Sequence, residues 1–286
     1  MIGVERLQRV LHIVGASAAV KNGSGPISVN LIAPSDAGKT QLILSAQPPH
    51  ARVINDFTTA SLLRLLDVAK PPTFLIVPDL NTVISHKPAV ATLTMAFLLS
   101  LLAEGVTEIP GVDEDTKLKA KNLKTRGVRV ALITGMTPEM FHTKRGAWRK
   151  TGFLRRLVPI HYAYSADTLT KIQDAIMNGA DTLAYRHFVQ RPPKRRDIKL
   201  TPKIEDGLRR LSEQVTERQL IWTSRSRDGV ERVQHAHDYP FSAHKVLRQF
   251  ARSAALLSNR SIATQKDLAS VKDIVKFMRY DRPEEI

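Results

Sequence analysis

Gly38-Lys39-Thr40 closes the run Ala33-Pro34-Ser35-Asp36-Ala37, which lies between a short apolar segment and a helical one beginning at Gln41. Those residue types at that spacing suit the binding of a polyphosphate. Gly38 lets the backbone come close enough for successive N–H groups to cradle phosphate oxygens, and a helix starting there adds the positive end of its dipole. Lys39 then reaches the β- and γ-phosphates of a nucleotide such as ATP, and the Thr40 hydroxyl is placed to bind Mg²⁺. Ala33 stands where the common pattern has its first glycine. The plainer alternative is an exposed strand-to-helix turn with a solvated lysine.

A carboxylate has to face such a loop. Phe74-Leu-Ile-Val77 leads through Pro78 to Asp79, a carboxylate at a strand end that suits a threonine-bound Mg²⁺. Pro78 and Leu80 flank it, so metal support and water activation cannot both fall to adjacent residues, which argues for slow hydrolysis. Glu104, at the end of the next helix, is a candidate second carboxylate and, more simply, an exposed helix terminus. Val128 to Ile133 is apolar apart from Arg129 and leads to Thr134, whose hydroxyl is a candidate for orienting an attacking water. His235-Ala-His237-Asp238 has the spacing of metal ligands but lacks a fourth, and it reads as a polar loop.

These residues need elements to hold them. Val4, Leu7, Val10, Leu11 and Val14 follow helical spacing, so the chain opens with a helix that Lys21-Asn-Gly-Ser-Gly-Pro26 ends. Ile27 to Ile32 reads as a buried strand, Arg52 to Ile54 as a short one and Thr58 to Val68 as a helix with Leu62, Leu63, Leu65 and Leu66 on its inner side. Thr73 to Val77, bounded by prolines, reads as a central parallel strand. Pro88 to Ala103 carries no charge over sixteen residues, short of the ~20 a membrane span needs, and reads as a buried helix. Alternating strands and helices predict a three-layer α/β fold with a mostly parallel sheet.

Composition changes at Gln190. Arg191-Pro-Pro-Lys-Arg-Arg196 is a proline-interrupted basic run, and the chain after Thr201 reads as helix, with amphipathic segments at Lys203 to Glu217, Ser242 to Leu257 and Thr264 to Met278. The last begins with Thr264 as N-cap and Asp267 at N3, close to a capping box. The expected organisation is therefore an α/β nucleotide-binding domain over 1–190, a basic linker over 191–200 and a smaller all-helical lid over 201–286.

The 286 residues hold 43 Lys and Arg against 27 Asp and Glu, a net charge of +16. Basic residues cluster at Lys117 to Arg129, Lys144 to Arg156 and Arg191 to Lys199, which favours contact with a phosphate backbone indifferent to sequence. Aromatics make up only 6%, so recognition by base stacking is poorly supported. There is no cysteine, which excludes disulfides, thiolate metal sites and a cysteine nucleophile and fits a reducing, cytoplasmic setting. Nothing at the N-terminus marks the chain for export or for a membrane.

The order of phosphate loop, acidic strand end, polar strand end and Gly152-Phe-Leu-Arg-Arg-Leu-Val-Pro-Ile160, followed by a helical C-terminal part, resembles an AAA+ ATPase. Within that superfamily it is most similar to the minichromosome-maintenance and magnesium-chelatase branch. The resemblance covers roughly Leu7 to Met278 and departs from the pattern at Ala33, at Pro78-Asp79 and at Arg155, where the family has a serine. The resemblance implies a minimal AAA+ module, without the N-terminal DNA-binding domain that a replicative helicase carries. It implies ATP and Mg²⁺ as ligands, Thr134 as the first sensor, and Arg156 as an arginine finger working across a subunit interface, hence a homo-oligomeric ring or filament. It further implies DNA contacts at Lys119, Lys121 and Lys124, and a second sensor among His244, Lys245 and Arg248. The function expected is an oligomeric ATPase acting on or along nucleic acid, DNA more than RNA. The alternatives are a slow ATP-dependent regulator or loader that switches a protein partner, and a nucleic-acid-binding scaffold with a vestigial phosphate loop.

Overall fold

The computed structural model describes residues 2–48, 50–66, 72–103, 105, 128–179, 193–218, 220–225, 231–235, 240–280 and 282–286. Its strands are β1 (Val29–Ile32), β2 (Ala51–Val53), β3 (Phe74–Val77), β4 (Ala131–Met136), β5 (Val158–Ala163), β6 (Leu220–Arg225), β7 (Glu231–His235) and β8 (Glu284–Glu285). Its helices are α1 (Glu5–Ala16), α2 (Lys39–Ser45), α3 (Thr59–Leu66), α4 (Asn81–Ile84), α5 (Pro88–Ala103), α6 (Pro138–Lys150), α7 (Ala166–Met177), α8 (Pro202–Arg218), α9 (Pro240–Leu257) and α10 (Gln265–Phe277).

Six strands form one sheet in the order β2-β3-β4-β1-β5-β8, and every pair in it is parallel. Alternation along each strand divides the core between two faces. Val29, Leu31, Phe74, Ile76, Ile133 and Ile160 join one cluster with side chains of α1, α2, α8, α9 and α10. Ile32, Leu75, Val77, Leu132 and Met136 join the other, against α3, α5, α6 and the 3₁₀ turn Phe153–Arg155. Helices thus cover both faces of a sheet whose central strands are buried throughout, the expected three-layer α/β fold.

Three expectations change. The chain after Thr201 is not wholly helical: β6 and β7 pair as an antiparallel hairpin, and β8 joins the edge of the main sheet. Leu220-Ile-Trp-Thr is rich in strand formers, and Asp228-Gly229 stands between the two strands in sequence, a pair favoured in hairpin turns. α5 is not buried all round, since Ala91, Thr94, Leu98, Leu101 and Leu102 face the core while Leu93 is 67% exposed and Val90 37%. A helix that is apolar on every side carries no periodicity to say which face turns inward. Finally, β4 does not stop at Thr134 but runs on to Met136. Thr264 and Asp267 form the capping box that their spacing suggests.

Candidate nucleotide-binding site

The strand order brings the C-terminal ends of β1, β3 and β4 side by side, and the segments leaving them build the site. Ala33 continues from β1, and its N–H donates to the Met136 carbonyl at 3.3 Å. Its side chain is buried in the core and its φ is not positive, so this position has no need of glycine. The turn falls further on, where Asp36 has φ +60° and Gly38 φ +67°, two left-handed residues on either side of Ala37. For Asp36 that conformation is uncommon and costly, a feature of loops held for a purpose by their surroundings. Pro34, Ser35 and Asp36 are exposed, and so is Thr40 in the first turn of α2.

Lys39 folds back across the loop, its Nζ donating to the carbonyls of Ala33 at 2.8 Å and Pro34 at 2.6 Å. Its stem runs over β4 at Gly135. A Cβ there would lie 3.0 Å from the Pro78 carbonyl oxygen and 3.6 Å from Lys39 Cδ, so glycine lets β3, β4 and the lysine converge. Partial burial lowers the Lys39 pKa, and the carboxylates of Asp79, Asp36 and Glu139 oppose that shift. Asp79 is exposed just beyond β3, and its Oδ1 accepts from the Asn81 N–H at 2.9 Å. The structure therefore brings Lys39, Asp79 and the loop together.

Three further residues belong to this neighbourhood and were not singled out from the sequence. Glu139 opens α6, and its carboxyl is held below the usual range chiefly by its own backbone N–H and then by the Thr137 hydroxyl. Tyr162 and Tyr164 reach the loop from β5 and just beyond it, both hydroxyls donating to the Ala37 carbonyl, at 2.9 and 3.2 Å. The available signals were the helix-opening Thr137-Pro138-Glu139 and the alternation of two tyrosines on one strand face.

The remaining expected residues are placed as follows. Thr134 lies inside β4, in register with Val77 and Asn30, fully buried, its hydroxyl without a hydrogen-bond partner among the described residues. The polar residue beyond the strand's end is Thr137, which caps α6 by accepting from the Met140 N–H. Arg156 follows the Phe153–Arg155 turn, is partly buried, and donates from Nη1 to the Gly152 carbonyl at 3.1 Å. It precedes Val158, which pairs with Val29 at the start of β1. That puts it at the edge of the sheet opposite the loop, roughly 20 Å away at about 3.3 Å per strand residue, beyond the reach of its own side chain. His244 and Arg248 face Glu205 of α8, at 3.7 and 2.8 Å, while Lys245 is exposed. Glu104, Lys119, Lys121, Lys124, His237 and Asp238 lie outside the described residues, and His235 ends β7.

Among the described residues no group of three or more His, Asp or Glu side chains could hold a metal ion alone. Thr40 and Asp79 instead offer two hard oxygen donors, the small protein share with which Mg²⁺ binds alongside substrate phosphates. The residues fit Mg²⁺ on those terms.

A parallel α/β sheet with the loop, the lysine and the strand-end carboxylate at its C-terminal edge is the arrangement of a P-loop NTPase fold. Among solved structures, the chain is similar to a full-length MCM homologue from Methanopyrus kandleri, with a TM-score of 0.53 and 12% sequence identity over 97% of this chain and 56% of that one. The likeness is one of fold, and the chain spans little more than half of that protein's length. No family model matches the sequence, and no curated protein does. No helix among the described residues is long and apolar enough to cross a membrane.

Proposed function

We propose that this chain is an AAA+-type ATPase that binds ATP with Mg²⁺, assembles into a ring or filament, and acts on or along nucleic acid, DNA more than RNA, in the cytoplasm. The observation that carries the reading is the meeting of Lys39, Asp79 and the Ala33–Thr40 loop at the C-terminal edge of the parallel sheet. Loop amides and Lys39 would bind the phosphates, while Thr40 and Asp79 would hold Mg²⁺, which would supply positive charge against that of the phosphates. Hydrolysis forms a bond from a water oxygen to the γ-phosphorus as the bond to the β–γ bridging oxygen breaks, its electron pair leaving on ADP. With Asp79 given to Mg²⁺, Glu139 and Asp36 are the carboxylates near Lys39 left to orient that water and take its proton. Arg156, too far from its own loop, acts on the γ-phosphate of a neighbouring subunit. With the reading goes the division into a nucleotide-binding part over 1–190, a basic linker over 191–200 and a lid over 201–286. Net charge of +16 supports a polyanionic partner.

A second reading, a slow ATP-dependent regulator or loader that switches a protein partner, is favoured by the flanks of Asp79, where Pro78 and Leu80 leave one carboxylate at the strand end. ATPase rates with and without single- and double-stranded DNA across a salt series separate the two. Stimulation that fades as salt rises supports the nucleic-acid ATPase, whereas a slow rate that ignores DNA supports the regulator.

A further inference from the structure

Tyr162 and Tyr164 are two residues apart, so strand alternation puts both phenols on one face, with ring centroids 6.3 Å apart at 70°. Both donate to a single acceptor, the Ala37 carbonyl oxygen. One donor would satisfy that carbonyl; two occupy both its lone pairs and fix the tilt of the peptide plane as well as its direction. Burial raises both phenol pKa values, so both remain O–H donors through the neutral range. In a planar trans peptide the carbonyl and the following N–H point opposite ways. With the Ala37 carbonyl held toward β5, the Gly38 N–H is turned away from it. Tyr164 also borders Gly38 directly, since a Cβ on that glycine would lie 3.5 Å from the phenol oxygen.

We infer that Tyr162 and Tyr164 are positioning residues that hold the Ala37–Gly38 peptide so that its N–H is presented to a phosphate oxygen of a di- or triphosphate ligand. The inference rests on the phosphate-loop reading and adds to it a device outside the loop. Without the phenols, a peptide that runs into the left-handed Gly38 one residue after the left-handed Asp36 keeps other orientations within reach, and ligand binding then has to select the productive one.

The test measures equilibrium binding of ATP, ADP and inorganic pyrophosphate to the full chain by displacement of a fluorescent ATP analogue, with the melting temperature of each variant. Tyr162→Phe and Tyr164→Phe should each weaken binding by about threefold or less. The double variant should lose roughly tenfold or more for all three ligands, beyond the product of the single effects, because either phenol alone still fixes the carbonyl. Wild-type affinities in a folded double variant overturn the inference, as does a loss equal to its unfolded fraction. If the double variant shows no cooperative melt, half-buried Tyr164 decides alone: weaker binding at an unchanged melting temperature supports the role, and unchanged binding overturns it. Lys39→Ala keeps the two levels apart. If that variant binds like the wild type, the phosphate loop itself is misread; if it loses binding while the folded phenylalanine pair does not, only the phenols' role falls.

Discussion

Two helices of this molecule start in opposite ways. α10 begins at Thr264, whose hydroxyl accepts from the backbone at N3 while the Asp267 side chain accepts from the Thr264 N–H at 2.7 Å. Arg260 completes the cluster, donating to the Thr264 hydroxyl and to Asp267 Oδ1, the latter at 2.6 Å. α2 begins at Gly38, with no side-chain cap and a left-handed φ, after a second left-handed residue at Asp36. One helix start is closed by its own side chains, and the other has no side-chain cap. A buried aspartate with two partners at α10 marks a place made for stability. Uncapped amides beside a folded-back lysine at α2 suit the ligand site proposed above, and a protein keeps such strain only where the surroundings enforce it.

The largest test of that contrast is Lys39→Ala. It should abolish ATP binding while the circular dichroism spectrum and melting temperature stay near those of the wild type, because the side chain serves phosphate charge and contributes little to the core. Asp79→Asn should keep binding and lose hydrolysis, read as ATP retained with no phosphate released.

Next in size is Arg156→Ala, expected to bind ATP almost normally and hydrolyse it about 10³-fold more slowly or worse. Mixed with an equal amount of Lys39→Ala protein, its subunits should regain activity where an intact finger meets an intact loop. Arg155→Ala, at the position where the resembling family carries serine, should cost far less. Equal losses at both arginines, or no rescue at concentrations where the protein is oligomeric, would show that the pair is structural.

The complementary experiment breaks the closed helix start. Asp267→Ala should cost about 2 kcal/mol in chemical denaturation, through the lost cap and the bond to Arg260, and leave nucleotide affinity unchanged. Smallest is Gly38→Ala. The added Cβ meets only ordinary contact with the Tyr164 hydroxyl, so the expense is the left-handed backbone, about 1 kcal/mol of stability. A stability loss at Asp267 accompanied by weaker ATP binding would erase the distinction between the two ends.

What could be read from the sequence follows the range of the forces involved. α1, β3, α9 and α10 are written in local periodicity and capping residues, and the loop in its glycine, lysine and threonine, so all were legible. α5 was legible as a helix but not as a half-exposed one, because uniform apolarity hides its inner face. A polar residue after an apolar run suggests a strand end at Thr134, whereas β4 runs on through Gly135, the small residue that admits Lys39. Glu139, Tyr162 and Tyr164 lie about a hundred or more positions from Lys39 and reach it only because β4 and β5 flank β1. No window along the chain contains that adjacency.

One feature at the far end of the chain bears on how the molecule can move. Beyond α10, Tyr280 stacks on Phe141 with centroids 4.9 Å apart, and its hydroxyl donates to the Leu154 and Leu157 carbonyls. β8 then zips onto β5, with the Ile286 N–H donating to Ala163 and the Ser165 N–H to Ile286. The C-terminal helices are thus held to the sheet both by their packing against it and by the chain that leaves them along β5. Because α8 to α10 share a buried cluster with Val29, Ile133 and Ile160 while β8 pairs with β5, displacing those helices would disturb the sheet beside the strand that carries Tyr162.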